Sequence, residues 1–169
     1  RPILADVTRP ESLRGLPAAA TVLYAVGHDR RQAASRHAVY AEGLRAVLDA
    51  LPAAPERFVF VSSTGVFGPS GGQWVNEDSP CRPQRESGQA MLAAEQILAQ
   101  HAMAGRAIVL RLAGLYGPGR LPRVADLSAG RPVPVPSQGC LNLIHVDDAV
   151  QTILAAERRA KPPRTPACT

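Results

Sequence analysis

Polar and small residues end several apolar runs of this sequence, where their side chains could bind a ligand or exchange a proton. Residues 62–64 are two serines and a threonine that end the run starting at Phe58. Their hydroxyl groups can both donate and accept hydrogen bonds. Residues 24–27 end a second run, and residues 113–117 follow a third. Each group alone is compatible with ordinary turn chemistry. Together they favour one shared crevice.

Short apolar runs alternate with helical patterns along the chain. The predicted strands are residues 2–5, 21–26, 58–61, 107–112 and 141–146, and the predicted helices are residues 33–51, 84–101 and 147–158. Continuous apolar character, as in residues 58–61, is typical of a parallel strand covered on both faces. The alternation predicts an α/β fold, a parallel sheet with helices on both faces. In such sheets ligands bind beyond the carboxyl ends of the strands. The tail, residues 161–169, is expected to be frayed.

Composition limits the classes of function. A chain of 169 residues suffices for one domain of ordinary size. Its net charge of +5 comes from scattered arginines, with Lys161 as the only lysine, so we expect no nucleic-acid partner. The three cysteines lack metal-ligand spacing, and we expect no metal site. The odd number of cysteines is typical of a reduced protein, and we expect a cytoplasmic location. Since no apolar stretch approaches the roughly 20 residues that span a bilayer, we expect no membrane contact.

Four segments in order resemble successive blocks of the NAD-dependent epimerase/dehydratase family, the extended branch of the short-chain dehydrogenases/reductases. They are residues 58–68, 87–95, 111–119 and 142–148, which together with the intervening chain cover nearly the whole sequence. The resemblance implies a Rossmann-like, doubly wound parallel sheet. It also implies NAD or NADP as the cofactor and a small-molecule substrate with a hydroxyl or carbonyl group, such as a nucleotide sugar.

The resemblance further implies which residues contact the cofactor. They are Asp6, Val7, Tyr24, Ala25, Val26, Gly27, Ser62, Ala113, Gly114 and Leu115. Asp6 matches the family's aspartate on the adenine side of the dinucleotide. Residues 24–27 match the segment beneath its ribose and pyrophosphate, and residues 113–116 match the loop near the nicotinamide.

Other positions match the substrate side of the family's site. Ser63 aligns with the serine or threonine that hydrogen-bonds the substrate hydroxyl or carbonyl, which makes it the main catalytic candidate. Thr64, Arg120 and His145 are expected to contact the substrate. Arg111 or Arg120 could hold an anionic substrate group.

The helix after the serine-ended strand departs from the family. Family members carry a tyrosine and a lysine four residues apart there, on one helix face, and the lysine lowers the tyrosine pKa for proton exchange. Counting back from Glu95 places Ser87 at the tyrosine position and Met91 at the lysine position. Ser87 is a weak acid or base, and Met91 fits helix packing better than catalysis. The usual acid-base pair is therefore absent.

A proton donor could come from elsewhere. Tyr116, Tyr24, His28 and His145 are candidates, with Tyr116 the one in the nicotinamide-side loop. Each has a structural alternative, because tyrosines at strand ends commonly pack and histidines often pair locally. Two functions therefore stay open: an NAD(P)-dependent enzyme, or a catalytically inactive NAD(P)-binding sensor or scaffold of the atypical kind.

The family's opening strand, glycine-rich turn and second strand have no counterpart before Arg1. We therefore expect residues 1–169 to be a partial NAD(P)-binding domain without its first two strands. As an internal fragment, they would show weak or no dinucleotide binding by themselves. Part of the substrate-binding region would begin at about residue 114. By the same resemblance, a homodimer would form through the helices at residues 33–51 and 84–103.

Overall fold

The computed structural model describes residues 2–29, 31, 33–68, 72–132, 140–160, 162 and 164–168, the last five as backbone. The strands are β1 (Thr21–Tyr24), β2 (Arg57–Ser63), β3 (Ala107–Leu112), β4 (Gly114–Tyr116), β5 (Leu143–His145) and β6 (Arg164–Cys168). The helices are α1 (Gly43–Ala50), α2 (Glu86–Gln100), α3 (Val124–Ser128) and α4 (Val146–Arg159). A π-helical turn, Ala38–Glu42, leads into α1, and 3-10 turns lie at Pro10–Leu13, Thr64–Phe67 and Ala104–Arg106.

Four strands form one parallel sheet in the order β1-β2-β3-β6. Crossover connections through helices join β1 to β2 and β2 to β3, as parallel pairing requires. The register sets Tyr24 beside Phe60 and Ser63 beside Leu112. The carboxyl ends of β2 and β3 are therefore level, and the segments that follow them start side by side.

The central strands are covered on both faces. Phe58 and Phe60 of β2 point to one side and pack in a core with α1 and α2, while Val59 packs on the other side with residues of α4. All three β2 side chains are at most 1 % exposed. Burial on both faces accounts for the continuous apolar run in β2. The predicted α/β fold with helices on both faces is confirmed.

A second sheet lies beyond the first. β4 and β5 pair in parallel, with Leu115 beside Ile144 and Tyr116 beside His145. β4 begins two residues after β3 ends, and α4 begins directly after β5. Asp147 and Asp148 in the first turn of α4 and Arg158 and Arg159 in its last turn complement the helix dipole.

Two predictions about the ends of the chain are wrong. Residues 2–5 form no strand, because none of the described strands pairs with them and an isolated extended segment has no ladder of hydrogen bonds. In the tail, residues 164–168 form β6 instead of fraying, since their backbone pairs with the free edge of β3. Pro166 has no N–H to donate, and the β3–β6 register shifts between Ile108 and Leu110. Edge strands tolerate such a break.

Residues 113–116, expected to be a loop, contain β4, because the backbone from Gly114 pairs with β5. The other predicted elements are present with shifted bounds. β1 ends at Tyr24 instead of residue 26, β5 is shorter than predicted, and the predicted helix at 33–51 is a π-helical turn followed by α1. In the described part of the chain, no helix combines the length and apolar character needed to cross a membrane.

Candidate functional site

A cleft of about 550 Å³ separates the N-terminal segment from the segment after β1. Its walls include Asp6 and Val7 on one side and Val26 and Gly27 on the other. Four residues predicted from the family resemblance to contact the cofactor therefore border one cavity. The volume lies within the range of typical small-molecule sites.

The carboxylate of Asp6 is held in place by its own turn. Asp6 Oδ1 accepts hydrogen bonds from the Thr8 backbone N–H at 2.9 Å and from the Thr8 hydroxyl at 2.7 Å. These bonds, the one from the hydroxyl foremost, hold the pKa of Asp6 below its usual value. The Asp6 backbone N–H in turn donates to Ser12 Oγ at 2.8 Å, which ties the turn to the following 3-10 turn. The cleft thus presents an ionised hydrogen-bond acceptor at neutral pH.

The opposite wall leaves room beside the backbone. A Cβ atom added at Gly27 would meet no atom within 4 Å, so open space adjoins this residue. Ala25 is exposed, whereas the ring of Tyr24 lies in the core, 4 % exposed, with its hydroxyl 3.4 Å from the Val39 carbonyl oxygen. Burial raises the pKa of Tyr24. The side chain of Tyr24 therefore belongs to the core, and only its backbone continues toward the cleft.

Ser63 and Thr64, here called the hydroxyl pair, lie at the carboxyl end of β2. Ser63 Oγ accepts a hydrogen bond from the Gly65 N–H at 3.1 Å, and Thr64 Oγ1 accepts one from Asn142 Nδ2 at 3.2 Å. Within the described residues, neither hydroxyl has an acceptor for its own hydrogen. Each can therefore donate to an oxygen of a bound molecule.

Asn142 connects the two sheets next to the hydroxyl pair. Its carbonyl oxygen accepts from the Gly114 N–H at 3.1 Å, while its side chain donates to Thr64. Gly114 fits closely here, since a Cβ at this position would come within 2.9 Å of Leu143 Cδ2. Asn142 thereby joins the ends of β2, β4 and β5. No role was predicted for Asn142 from the sequence, although an amide inside a predicted apolar strand is a signal for one.

Behind the hydroxyl pair lies a buried polar cluster of Ser62, Glu95 and Arg111. Arg111 Nη2 and Nε contact the two carboxylate oxygens of Glu95 at 2.7 and 3.0 Å. Ser62 Oγ donates to Glu95 Oε1 at 2.5 Å. The hydroxyl of Ser62, predicted to contact the cofactor, is thus directed at Glu95, and Arg111 already has a protein carboxylate as its partner.

Ser87 and Met91 lie on α2 as the spacing predicted, but in different surroundings. Ser87 is exposed in the first turn of the helix, whereas Met91 is 9 % exposed and packs in the core on the α1 and α2 side. Gly88, between them, abuts the carbonyl of Gly65 in the turn that follows Ser63. The first turn of α2 therefore borders the hydroxyl pair, yet neither of these two side chains supplies a cation.

Two predicted site residues, Tyr116 and His145, are in contact on the second sheet. The rings of Tyr116 and His145 are 5.1 Å apart, edge to face. His145 Nδ1 accepts from the Asp147 N–H at 3.3 Å and lies 3.6 Å from the Asp147 carboxylate. Arg120 is exposed in a turn closed by backbone bonds with Gly117. These three residues lie on the β4–β5 side of the site, while Asp6 and Gly27 lie at the cleft near β1.

The aromatic pair His28 and Tyr40 has a local structural role near that cleft. His28 Nε2 lies 2.9 Å from the Ala34 carbonyl oxygen, and the Tyr40 hydroxyl accepts from the His28 backbone N–H at 3.2 Å. These bonds tie His28 to Ala34 and Tyr40.

Known proteins resemble this chain over most of its length. Residues 1–166 match the profile of the NAD dependent epimerase/dehydratase family. YeeZ of Escherichia coli K12 is 39 % identical over 98 residues, which is 57 % of this chain and 34 % of YeeZ. A solved structure from Methylobacillus flagellatus, assigned to the NAD-dependent epimerases/dehydratases, is 34 % identical with a TM-score of 0.73, covering 98 % of this chain and 59 % of its own.

The structure of RMD from Pseudomonas aeruginosa, complexed with NADPH, has a TM-score of 0.79 at 20 % identity and shares the fold. The match covers 99 % of this chain and 67 % of RMD. The chain thus spans 34 % of the curated relative and 59 % and 67 % of these two solved structures. A nicotinamide dinucleotide as cofactor is confirmed at the level of the family. On the family profile, which covers all but the last residues, this chain belongs to the NAD-dependent epimerase/dehydratase family.

Proposed function

We propose that this protein binds NAD or NADP and uses it on a hydroxyl- or carbonyl-bearing substrate of the nucleotide-sugar kind. The observation that carries the proposal is the hydroxyl pair, two hydrogen-bond donors held at the carboxyl end of β2 beside the end of β3. Ligand sites of parallel α/β sheets lie in this position. The proposal refines the general epimerase/dehydratase-like function of the family.

The cleft at Asp6 fits the adenosine half of such a cofactor. Its volume of about 550 Å³ accommodates a nucleoside, and the ionised Asp6 can accept hydrogen bonds from an amino or hydroxyl group. The open space beside Gly27 lets a ligand approach the backbone there. Residues 113–115 would then hold the nicotinamide half beyond β3. RMD, which shares this fold, was solved with NADPH.

The bound nicotinamide would supply or accept the hydride, and this chain's residues would hold the substrate. Ser63 would donate its free hydroxyl hydrogen to the reacting substrate oxygen, and Thr64 would donate to a neighbouring oxygen, since Asn142 fixes the orientation of its side chain. Arg120 and His145 on the β4–β5 side would contact the rest of the substrate. Ser87 and Tyr116 remain the candidates for proton exchange.

A second function, an NAD(P)-binding sensor or scaffold without turnover, is favoured by one observation. The position of the family's lysine holds Met91, whose side chain is buried in the core. Without a cation there, an exposed serine at position 87 keeps the high pKa of an aliphatic alcohol. Cofactor binding needs neither residue, so it could persist without catalysis.

The test is the change in nicotinamide absorbance of the full-length protein with NAD(H) or NADP(H) and a panel of nucleotide sugars and aldehydes. We expect turnover that falls about a hundredfold in Ser63→Ala, the effect of removing one preorganised donor. Ser128→Ala, an exposed serine at the end of α3, is the matched control. Tight cofactor binding with no turnover would favour the sensor function, and no cofactor binding would contradict both.

The domain boundary near residue 114 and the homodimer through residues 33–51 and 84–103 stay predictions. Sedimentation velocity of the full-length protein would test the dimer directly.

A further inference from the structure

The polar cluster of Ser62, Glu95 and Arg111 is buried between α2, β2 and β3. The side chains of Glu95 and Arg111 are 9 % and 6 % exposed, and the two groups meet through a pair of parallel hydrogen bonds. Glu95 Oε1 receives a further bond from Ser62 Oγ. One carboxylate therefore joins three elements of the fold.

A contribution to stability does not by itself explain a buried ion pair such as that of Glu95 and Arg111. Removing two charges from water opposes folding, and well-packed apolar residues of similar size often serve a core equally well. A geometric role explains the cluster better, since paired hydrogen bonds fix both the distance and the angle between the groups that they join.

The two partners of Glu95 in the described part of the chain, Ser62 and Arg111, both adjoin the proposed site. Ser62 directly precedes Ser63, and Arg111 lies beside Ser62 in the β2–β3 register, two residues before Ala113. The guanidinium carbon of Arg111 also lies 4.8 Å from the centre of the Phe67 ring, in the turn that follows Ser63. The cluster thus touches the segments on both sides of Ser63 and the strand β3, which leads through Ala113 into β4.

Glu95 also belongs to the helix face that carries the altered pair. Ser87, Met91 and Glu95 are spaced four residues apart on α2, so they form one stripe along the helix. Glu95 fixes the inner end of this stripe to the sheet, and the first turn of α2 borders the hydroxyl pair at the other end.

We propose that Glu95 is a positioning residue, which through Ser62 and Arg111 sets the hydroxyl pair and residues Ala113–Leu115, at the start of β4, for the nicotinamide half of the cofactor. This inference rests on the proposed function. The adenine half would bind in the cleft at Asp6, which the cluster does not touch. Loss of the cluster should therefore weaken binding of the nicotinamide half more than binding of the adenine half.

The test uses full-length protein in which Glu95→Met and Arg111→Met are combined, so that apolar side chains replace the pair without leaving an unpaired charge. Two probes report separately on the site: NADH, by nicotinamide fluorescence and calorimetry, and ADP-ribose, which lacks the nicotinamide. We expect an unchanged thermal midpoint within a few degrees, unchanged ADP-ribose affinity and NADH affinity weakened about tenfold or more, because small displacements at a preorganised site have large effects.

The matched control combines Arg36→Met with Glu86→Met. This ion pair also joins α2 to a neighbouring segment, at 2.7 Å, but Glu86 is 60 % exposed. We expect both probes to bind the control as they bind the wild type. Ser62→Ala, which leaves the ion pair intact, should lose part of the nicotinamide fluorescence change and keep ADP-ribose affinity.

The inference is overturned if a folded double variant keeps the wild-type NADH signal, or if its NADH and ADP-ribose affinities fall by the same factor. If the double variant does not fold, Ser62→Ala tests the inference in its place. The inference is then overturned if Ser62→Ala keeps the wild-type NADH signal or loses NADH and ADP-ribose affinity by the same factor. A wild-type protein that binds neither probe would refute the proposed function itself, whereas normal wild-type binding with an unaffected variant would refute only the positioning role.

Discussion

Gly88 in α2 and Gly65 in the turn after β2 are in direct contact, and the fit leaves no room for a side chain at position 88. A Cβ there would collide with the carbonyl oxygen of Gly65 and would lie 2.8 Å from Pro83 Cβ. Both obstacles are rigid, one a backbone group and the other a proline ring. The contact holds the first turn of α2 against the turn that begins at Ser63.

Gly88→Ala should therefore destabilise the protein, although alanine is the better helix former. We expect a loss of about 1–3 kcal/mol in the free energy of unfolding, as for other overpacked sites. Urea denaturation measures the loss. Gly105→Ala is the control, because a Cβ at that position meets nothing within 4 Å. Equal stability of the two variants would contradict the described contact.

The Asp6 turn should make stability and nucleotide binding sensitive to acid. The pKa of Asp6 is lowered, chiefly by the Thr8 hydroxyl. Its stabilising effect is therefore fully present above the unfolded value of 3.8 and is lost as the pH falls through the lower folded value. ADP-ribose affinity, measured by calorimetry, should be constant from neutral pH down to the ordinary aspartate pKa and decline only as the pH falls further, through the lowered pKa of Asp6.

Asp6→Asn should bind ADP-ribose more weakly than the wild type at neutral pH. The control Asp78→Asn changes an exposed aspartate that does not line the cleft, and this variant should bind ADP-ribose normally. If Asp6→Asn keeps the wild-type ADP-ribose affinity and the same decline at low pH, a group other than Asp6 causes the pH dependence.

Burial of Tyr24 should make the free energy of unfolding fall as the pH becomes alkaline. Burial raises the pKa of Tyr24 in the folded protein above the value of 10.0 that holds when it is exposed. The stabilising effect is complete below pH 10.0 and declines above it, because the unfolded chain releases the proton while the folded one retains it. Urea denaturation between about pH 9 and pH 11 should show this decline in the wild type and a smaller one in Tyr24→Phe.

At neutral pH the same variant should lose no more than about 1 kcal/mol, since the Tyr24 hydroxyl makes one long hydrogen bond of 3.4 Å. Tyr116→Phe, on the half-buried β4, serves as the control, and its alkaline stability should match that of the wild type. An identical alkaline profile in wild type and Tyr24→Phe would disprove the burial effect.

The sequence predicted the central elements because their patterns are local. The continuous apolar run of β2 and the helical spacing in α2 each reflect burial that repeats along the element itself. The parallel α/β fold and the helices on both faces followed from the order of these elements. The family resemblance supplied what spacing could not, namely the cofactor class and the residues assigned to each side of the site.

The missed features depend on pairing between distant segments. β6 forms because the tail meets the free edge of β3, and residues 2–5 stay unpaired because no described strand lies beside them. β4 has too few residues for a periodic signal, and it pairs with β5, which is distant in the sequence. Glu95 and Arg111 did carry a signal, since an arginine inside an apolar strand and a glutamate in line with Met91 and Leu98 both require a buried partner.

The central claim is that a nicotinamide dinucleotide lies across the cleft between Asp6 and Gly27, and Gly27→Leu tests it most directly. The open space beside Gly27 should accept the leucine without harm to the fold, while the new side chain enters the volume that the cofactor needs. Calorimetric titration of the full-length protein with NADH and NADPH should show binding in the wild type and in the control Gly105→Leu, and at least a tenfold weaker affinity in Gly27→Leu. Unchanged affinity in a folded Gly27→Leu variant, or no dinucleotide binding in the wild type, would contradict the account.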